Sequence, residues 1–520
     1  MEASISGSVG FTRLAPRVLA TSVAGLSVLL MVACGGGDSP PPANPQPTPT
    51  PPAHNVELVQ LSTDTFTNPT SQHATEVEAG TAAFGSTIVT AFQVGRIFDG
   101  GGADIGFATS NDGGNTWSNG FLPGTTTFAN GTYVAISDPA VAYDAKHGVW
   151  MISTLPITTT DRVAVSRSSD GGLSWSDPII VNQSNNADKN WIACDNTSTS
   201  PFYGNCYVEW DDPSAGGIIW MSVSSDGGLT WGPERNTANL ASGIGGQPVV
   251  QPSGTVIVPI ESWTGLEMLA FLSSNGGVTW SSTTAISTIS DRVVAGSLRT
   301  SPLPAAAVDG DGTVYVLWQD CRFRTGCSSN DLILSTSTDG VTWTTPTRIP
   351  IDSATSTVDH FIPGLGIDPA TSGGSAHLGL TYYFYSAANC AANCALSIGF
   401  ISSQDGGITW APPTVIAGSM SPTWLPNTFA GFMVGDYSST AFANGVAFSI
   451  FALADPNSGT LFDEPIFTNA AGFNVNRLGT SSAMDERPIP GAHADHGPRR
   501  FYDQEHRIPI PERAMEQDEH

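Results

Sequence analysis

A Gly-rich segment that ends in Trp recurs six times between residues 110 and 410. The copies read SNDGGNTW (110–117), SSDGGLSW (168–175), SSDGGLTW (224–231), SSNGGVTW (273–280), STDGVTW (337–343) and SSQDGGITW (402–410). In such a segment the Asp or Asn oxygen accepts N–H groups of a turn, Gly supplies a positive φ, and Trp covers apolar strands. The chain is therefore predicted to be built from β hairpins.

The sequence around each copy repeats as four short strands, about every 50–65 residues. Residues 298–349 show the pattern, with LRTSPLPAAAVDGDG, TVYVLWQD and NDLILSTS before the Trp-terminated turn and TTPTRI after it. Seven such units begin near Thr81, Asp138, Lys189, Gln247, Ser301, Phe361 and Met433. Charged residues make up only 12% of the chain, while Gly and Pro number 56 and 37, which favours strands and turns over helices. We expect an all-β fold of four-stranded units, the pattern of a β-propeller.

The motif S-x-D-x-G-x-x-W resembles the Asp-box, or BNR repeat, of sialidases and other propellers. The resemblance implies a β-propeller over residues 56–475, with seven blades favoured and six as the alternative. The stretch NVELVQLSTDT is similar to the fourth strand of a blade, so we expect this N-terminal strand to complete the last blade and close the ring. Because the strands of each blade alternate in direction, all the boxes are expected on one face of the propeller. The ligand-binding surface is expected on the opposite face. The box residues with an expected structural role are Asp112, Asp170, Asp226, Asn275, Asp339 and Asp405.

The N-terminal residues predict export. Arg13 and Arg17 precede the apolar run LATSVAGLSVLLMVA, which is short for a membrane span and ends at Cys34. MVAC resembles a bacterial lipobox, so residues 1–34 are interpreted as a lipoprotein signal peptide with lipidated Cys34; a plain secretory signal is the alternative. Residues 35–55 are predicted to form a Gly/Pro-rich tether that holds an exported lipoprotein at the outer membrane or cell surface. Residues 476–520 are charged, lack apolar periodicity and are predicted to be disordered.

Six further cysteines occur as close pairs: Cys194 with Cys206, Cys321 with Cys327, and Cys390 with Cys394. In an exported chain, an even number of cysteines in local pairs predicts disulfides. Zinc is the alternative, but the pairs lack His partners at ligand spacing, and we expect no metal and no cofactor. The net charge of −27 argues against nucleic acid and anionic lipid surfaces as partners. The expected contact with a membrane is only through the lipid anchor, and the expected state is a monomer.

Part of the chain is similar to the catalytic pattern of sialidases. After the second strand of the first blade, TAFQVGRIFDGG contains Arg96 and Asp99. The resemblance implies that Arg96 binds a substrate carboxylate and that Asp99 protonates the leaving group. GDYSS contains Tyr437, which the resemblance makes the nucleophile. A neutral phenol suits that role because it does not repel an anionic substrate, provided that a nearby carboxylate takes its proton.

Other positions depart from the sialidase pattern. Glu261 stands where a second Arg of the family would fall, and Gly246 and Gln247 stand near the position of its Glu. The third Arg is missing, although Arg322 and Arg324 lie in the adjoining Cys loop. Sialidases bind the substrate carboxylate with three Arg residues. Because this chain lacks two of them, the resemblance does not imply sialidase activity.

Acidic and aromatic residues supply the remaining candidates for ligand contact. YVEWDD (207–212) and YVLWQD (315–320) are in phase, which places Trp210 and Trp318 at equivalent positions and Asp320 at a strand end. Arg299 precedes the fifth unit. These residues suit a glycan-recognising module or a diverged exo-glycosidase, since Trp stacks on sugar rings and acid pairs cleave glycosides. A non-catalytic propeller that binds a cell-surface protein is the alternative, and the sequence leaves open whether the chain is an enzyme.

Overall fold

The computed structural model describes residues 49–182, 186–391, 394–458 and 461–475. Within these residues the regular elements are 33 short strands and a few single-turn 3₁₀ helices, so the predicted all-β class is confirmed. None of the helices described there is long and apolar enough to cross a membrane. The predicted signal peptide, the predicted lipidation site Cys34 and the charged tail lie outside the described residues, as does most of the predicted tether.

The strands form antiparallel meanders, which we number 1 to 7 along the chain. Two short strands come first, β1 (Ala53–His54) and β2 (Leu58–Gln60). Meander 1 contains β3 (Glu76–Phe84), β4 (Thr87–Arg96), β5 (Gly102–Ser110) and β6 (Ser118–Phe121). Meander 2 contains β7 (Ala135–Asp144), β8 (Val149–Ile157), β9 (Ala164–Ser168) and β10 (Ile179–Ile180). Meander 3 contains β11 (Asp188–Cys194), β12 (Cys206–Asp212), β13 (Ile218–Ser224) and β14 (Arg235–Asn236).

The second half of the chain continues the pattern. Meander 4 contains β15 (Gly243–Ile244), β16 (Val249–Val250), β17 (Val256–Ser262), β18 (Glu267–Ser273) and β19 (Thr284–Thr288). Meander 5 contains β20 (Ala305–Val308), β21 (Val314–Asp320), β22 (Asp331–Ser337) and β23 (Thr347–Arg348). Meander 6 contains β24 (Asp359–Ile367), β25 (Leu378–Tyr385), β26 (Leu396–Ser403) and β27 (Thr414–Met420). After a small hairpin of β28 (Asn427–Thr428) and β29 (Gly431–Phe432), meander 7 contains β30 (Ser439–Ala443), β31 (Val446–Ala452), β32 (Ile466–Asn469) and β33 (Phe473–Asn474).

Each Trp-terminated box is the tight turn between the last two strands of its meander. In the box of meander 2, the carboxylate of Asp170 accepts the N–H of Ser174 at 3.0 Å, and the Ser168 hydroxyl accepts the N–H of Gly172 at 3.0 Å. Hydrogen bonds from the Ser174 hydroxyl and backbone lower the pKa of Asp170 to about 2. The indole N–H of Trp175 donates to the carbonyl of Gly172 at 3.1 Å. In this turn the Asp side chain therefore accepts a backbone N–H, which is the structural role predicted for the box residue.

The boxes also join neighbouring meanders. The last Gly of each box lies against a side chain of the preceding meander, which leaves no room for a Cβ. A Cβ on Gly172 would lie 2.9 Å from Val89 of β4, and both residues sit where meander 2 meets meander 1. The other contacts of this kind pair Gly228 with Met151, Gly277 with Val223, Gly340 with Ile257, Gly407 with Leu334, and Gly114 of meander 1 with Phe448 of meander 7.

The hydrophobic core lies between the meanders rather than within one. Five of its clusters each combine residues from two successive meanders, from 1 and 2 through to 5 and 6. The largest cluster contains Phe92 of meander 1, Phe400 of meander 6 and Phe448 of meander 7. The first strands follow the same order, and β30 of meander 7 packs against β3 of meander 1. Packing of meander 7 on meander 1 brings the two ends of the series into contact.

The N-terminal strands pair with the end of the chain. Leu58 of β2 lies opposite Asn469 of β32, so the predicted addition of an N-terminal strand to the last unit is confirmed by the register. Ala53 and His54 were expected in the tether, but they form β1 and pair with β27 opposite Gly418 and Ala417. Backbone pairing needs no apolar side chains, which explains why the sequence pattern did not predict β1.

All three predicted disulfides are present. Cys194 and Cys206 occupy directly opposed positions of β11 and β12, so this bond ties two neighbouring strands. Cys321–Cys327 closes the loop after β21, and Cys390–Cys394 closes a loop between β25 and β26. The bonds pin loops and strand ends, while the core itself is formed by apolar residues.

Candidate functional site

The first strands of four meanders carry the same irregularity near the end that lies opposite the boxes. A β-bulge interrupts the pairing of β3, β7, β11 and β24 with their second strands. Each bulge holds one non-glycine residue at positive φ: Glu78, Asp138, Lys189 and Ile362, with φ of 58°, 48°, 47° and 49°. Such backbone is costly for residues with a Cβ and is concentrated at functional sites. Three of these four residues are charged.

These charged residues converge with two others in a central charge cluster, defined as Glu78, Asp138, Lys189, Arg299 and Asp436. The ammonium group of Lys189 hydrogen-bonds to Asp436 and lies 3.5 Å from Glu78 Oε1 and 3.6 Å from Asp138 Oδ2. The guanidinium of Arg299 donates two bonds to Asp436, at 2.7 Å to Oδ1 and 2.5 Å to Oδ2. Each of the five residues is at most 7% exposed, so their charges interact with little screening by water.

Burial and neighbouring charges fix the protonation of the cluster. Burial raises the pKa of Glu78 to about 8, although Lys189 opposes the shift, so Glu78 is mainly protonated at neutral pH. Burial alone would raise the pKa of Asp436, but Arg299 and Lys189 outweigh it and hold the pKa well below its usual range. Burial alone would lower the pKa of Lys189, but Asp138, Asp436 and Glu78 raise it. At neutral pH an ionised Asp436 therefore lies between two cations.

A shallow hollow of about 10 Å³, room for about one water molecule, adjoins the cluster, and we call it the Trp191 cavity. Its lining residues come from meanders 3, 4, 5 and 7: Lys189, Asn190, Trp191, Gly245, Gln247, Leu303 and Tyr437. The half-buried ring of Trp191 meets the ring of Tyr437 edge to face, with centroids 5.1 Å apart. The side-chain amide of Asn190 donates to the backbone carbonyl of Asp138 at 2.8 Å, and the side-chain oxygen Oε1 of Gln247 accepts the backbone N–H of Ala306 at 3.0 Å. The cavity thus combines an aromatic wall with amide groups and one cation.

Tyr437, the predicted nucleophile, lines this cavity but is only 8% exposed. Its hydroxyl donates to the backbone carbonyl of Pro139 at 3.1 Å rather than to a carboxylate. Burial, together with the nearby carboxyls of Glu78 and Asp138, raises the pKa of Tyr437 well above its usual 10. In this arrangement the phenol is neutral and its proton is held by a main-chain oxygen.

Arg96 and Asp99, the other residues carried over from sialidases, do not line the Trp191 cavity. Arg96 is buried and donates to Gln93 Oε1 at 3.0 Å. Gln93 in turn bonds to Glu78 and to the Ser137 hydroxyl, so Arg96 supports the charge cluster from behind. Asp99 is half-buried and precedes Gly100. A second hollow of similar size begins there and is lined by Gly100, Gly101, Ser137, Leu155, Ile157, Asp161, Ala187 and Asp188.

The residues expected to contact a ligand from strand ends have other surroundings. Trp210 and Trp318 are 0% exposed and lie in core clusters, which corrects the expectation that their rings stack on sugars. Asp320 pairs with Arg322 at 2.7 Å, and this pair anchors the loop closed by the second disulfide. Arg324 is fully buried on Asp331 and Asp352. Glu261 is 3% exposed at the end of β17.

One group of side chains in the described residues could hold a metal ion: Asp331, Asp352 and His360, whose ligand atoms all lie within 4.8 Å of one another. The two carboxylates, however, already bind Arg324 and Arg348 through four ion pairs. These guanidinium groups occupy the positions where a cation would gain its binding energy. The group is therefore best described as a buried ion-pair network between meanders 5 and 6.

The sequence did not single out Glu78 or Trp191, and Gln247 was noted only as a departure from the sialidase pattern. A usable signal was present: charged residues occur near the start of two first strands whose opening residues are buried, EVEAGTAAF and DKNWIAC. A charge within a buried strand is rare unless it is paired or functional. Because the partners come from sequence positions as far apart as 78 and 436, their contact could be recognised only in the fold.

Comparison with protein families bears on the repeats. Residues 202–364 match the model of the BNR repeat-like domain. The match spans three of the boxes, at 224–231, 273–280 and 337–343, and it confirms the resemblance to Asp-box (BNR) repeat proteins.

A comparison with curated proteins found no match. Among solved structures, the chain is similar to the Hadza microbial sialidase Hz136, at 13% identity and a TM-score of 0.42, covering 72% of this chain and 75% of that one. It is similar to a protein of unknown function from Dyadobacter fermentans, at 15% identity, a TM-score of 0.42 and coverages of 71% and 98%. An ulvan lyase of a new polysaccharide lyase family gives 10% identity, a TM-score of 0.46 and coverages of 77% and 94%. Values this low carry no argument about function.

Proposed function

We propose that this protein is a glycan-recognising module built on a seven-bladed β-propeller, with its ligand at the Trp191 cavity. The seven meanders are the proposed blades, and β2 is the strand that completes the seventh. Support for a closed ring comes from the order of packing: β30 lies against β3, and Gly114 of the first box lies against Phe448 of the last meander.

The observation that carries the proposal is the lining of the Trp191 cavity. The half-buried Trp191 ring and the Tyr437 ring present apolar surface, and the amides of Asn190 and Gln247 with the ammonium of Lys189 present hydrogen-bonding groups. A sugar ring has the complementary surface, since its C–H faces are apolar and its hydroxyls both donate and accept. Ligand sites commonly combine an apolar wall with a few oriented polar groups in this way.

A diverged exo-glycosidase is the second candidate, and one observation favours it. Glu78, with a pKa of about 8, holds a proton at neutral pH and lies in the cluster beside Tyr437, as a general acid would. Binding without hydrolysis is preferred because the Tyr437 hydroxyl is bonded to the Pro139 carbonyl, and because Asp99 lies outside the cavity. A protein-binding propeller remains the alternative that the same experiment tests.

The N-terminal sequence supports a location for this module. We propose that Cys34 is lipidated and that the residues after it hold the monomeric propeller at the outer membrane or cell surface of a bacterium. The described fold begins at Pro49 and its first strand at Ala53, which leaves about 15 residues of Gly/Pro-rich sequence between the proposed anchor and the fold.

The test is a glycan array with the purified full-length chain, followed by calorimetric titration of the sugars that bind. Trp191→Ala should weaken binding by roughly tenfold or more, because an aromatic contact with a sugar face is lost. Trp263→Ala is the matched control, since Trp263 is also half-buried but does not line the cavity. Equal affinity of the two variants, or binding of proteins but not of glycans, would contradict the proposal.

Hydrolysis is measured separately with a panel of fluorogenic glycosides. Release of the fluorophore by the native chain, with loss of release in Tyr437→Phe, would replace the binding module with the glycosidase. Retained release in Tyr437→Phe would indicate that this phenol is not the nucleophile.

A further inference from the structure

Two segments that are far apart in the sequence meet along what we call the terminal seam, the backbone contact of residues 61–76 with residues 462–466. The first segment connects β2 to β3, and the second leads into β32, so the seam joins the start of meander 1 to meander 7. Four backbone hydrogen bonds form it: Leu61 N–H to the Ile466 carbonyl at 2.7 Å, Glu76 N–H to the Glu464 carbonyl at 2.9 Å, Glu464 N–H to the Ala74 carbonyl at 2.9 Å, and Phe462 N–H to the His73 carbonyl at 3.2 Å.

Two carboxyl side chains are buried in this seam. Glu76 is 2% exposed and Glu464 is 0% exposed. One oxygen of Glu76 and both oxygens of Glu464 are buried without a hydrogen-bond partner. A carboxyl group in such a place is tolerated far better as a neutral acid than as an anion, because the anion loses much more hydration. The seam therefore favours the protonated form of both side chains.

The neighbouring charges favour the same form. Asp64 and Asp463 act on Glu76, and Glu76 acts on Glu464. Asp64 is itself paired with His73, whose Nδ1 lies 3.0 Å from Oδ2 of the carboxylate. Within the described part of the chain, no cationic side chain acts on either glutamate. An ionised pair would thus face only acidic neighbours.

The strands packed against the seam supply two further ionisable groups. β4 contributes Arg96, whose guanidinium donates to Gln93 Oε1 at 3.0 Å and does not act on Glu76. β25 contributes Tyr383, whose hydroxyl donates to the Ala452 carbonyl at 2.8 Å. Burial, together with the carboxyl of Glu464, raises the pKa of Tyr383 well above its usual 10, so this phenol is neutral and offers no compensating charge.

Proton binding is therefore linked to closure of the seam. Burial raises the pKa of Glu76 well above its usual range, Asp64 and Asp463 raise it further, and a hydrogen bond with Ser62 opposes them. Burial, and then Glu76, raise the pKa of Glu464 well above its usual range. Because both pKa values are higher in the closed seam than in an open, hydrated one, the contact is fully stabilised at low pH. This stabilisation is lost as pH rises through the raised values.

We propose that the terminal seam is a pH-dependent switch, closed while Glu76 and Glu464 hold their protons and opened locally when they release them to the solvent. Opening detaches residues 61–76 from meander 7, because the four backbone bonds of the seam break together with the acid pair. The switch is independent of any ligand, so the inference does not rest on the proposed function.

The test is hydrogen–deuterium exchange of the full-length chain, followed by mass spectrometry, in a series of buffers from weakly acidic to weakly alkaline pH. Peptides that contain residues 61–76 and 462–466 report opening of the seam, after correction for the intrinsic pH dependence of amide exchange. Each proton released on opening should raise the opening constant roughly tenfold per pH unit, so the two acids together should give up to roughly a hundredfold.

Peptides of β30 and β31 provide the internal reference. These two strands, STAFA and VAFSIFA, belong to meander 7 but contain no ionisable side chain. Their exchange should rise less steeply with pH than that of the seam. An equal rise in both sets of peptides would mean that the chain unfolds as a whole, and the proposal of a local switch would fail.

A double variant separates the acid pair from other causes. Glu76→Gln/Glu464→Gln keeps both side chains close to their native size but removes the ionisation, so the opening constant of its seam should no longer change with pH. Glu57→Gln is the matched control, because Glu57 lies in the same N-terminal part of the chain but is exposed, and it should keep the native dependence.

The outcomes decide the proposal even if the double variant does not fold. A native seam whose opening constant is independent of pH, or falls as pH rises, overturns it without any variant. A folded double variant that keeps the native dependence overturns it as well. All buffers contain a chelator, and a native seam that is open in the chelator at every pH but closed without it would show that a metal ion, rather than protons, closes the seam.

Discussion

The contact between Gly114 and Phe448 allows the closure of the ring to be tested with one methyl group. Gly114 belongs to the first box and has a φ of 88°, and a Cβ there would lie 2.4 Å from two ring atoms of Phe448 in meander 7. Replacing Gly114 by Ala has two costs. A side chain at positive φ costs about 1–2 kcal/mol, and forcing a methyl group into a packed core costs about 1–3 kcal/mol more. We expect Gly114→Ala to lower the free energy of unfolding by about 2–5 kcal/mol.

Gly148 provides the matched control, because its φ is 65° but no atom lies within 4 Å of its Cβ position. Gly148→Ala therefore carries only the backbone cost of about 1–2 kcal/mol. The free energy of unfolding of both variants is measured by urea titration, with the fluorescence of the 13 Trp residues as the signal. Equal losses for Gly114→Ala and Gly148→Ala would mean that meanders 1 and 7 are not packed together, and the inference of a closed ring would have to be abandoned.

Three further predictions concern stability. Burial raises the pKa of Asp104 from 3.8 to about 7, so the folded state holds this proton more firmly than the unfolded state, and the free energy of unfolding should fall as pH rises through that interval. Asp104→Asn should flatten this dependence in urea titrations, and an unchanged slope would exclude Asp104 as its source. Replacing Cys194 and Cys206 together by Ser should cost about 2–3 kcal/mol, measured against the native chain in urea, and a loss near zero would show that the bond adds nothing to the pairing of β11 with β12. The melting temperature of Asp170→Asn should be close to that of the native chain, because Asn275 makes the same hydrogen bond in another box, whereas that of Asp170→Ala should be lower. A lower melting temperature for Asp170→Asn than for Asp170→Ala would contradict the role given to this side chain.

Much of the fold could be predicted because its signals are local. A box, its flanking strands and a close Cys pair each lie within a few tens of residues, and the turn chemistry of Asp, Gly and Trp leaves few alternatives. Even the pairing of β2 with the last meander could be expected, since NVELVQLSTDT matches the strand that the seventh unit lacks.

The candidate site could be predicted only in part, for two physical reasons. Trp210 and Trp318 do occupy equivalent positions, but all seven residues of β12 and of β21 are buried, because neighbouring meanders cover both faces of these strands. The alternation of side chains between the two faces of these strands therefore does not indicate which side chain reaches a ligand. The contact of Lys189 with Asp436 depends on the placement of meanders 3 and 7, which no local pattern encodes.

The pairing of residue 58 with residue 469 also sets an order of events during biosynthesis. β2 is among the first parts of the fold to leave the ribosome, yet its partner strand is made almost last. Folding on the ribosome cannot include this strand pair, because β32 has not yet been synthesised. The last sheet must therefore form after synthesis of β32, and contacts between residues so distant in sequence form slowly. Premature termination before residue 466 would leave the N-terminal strand β2 without its partner strand β32.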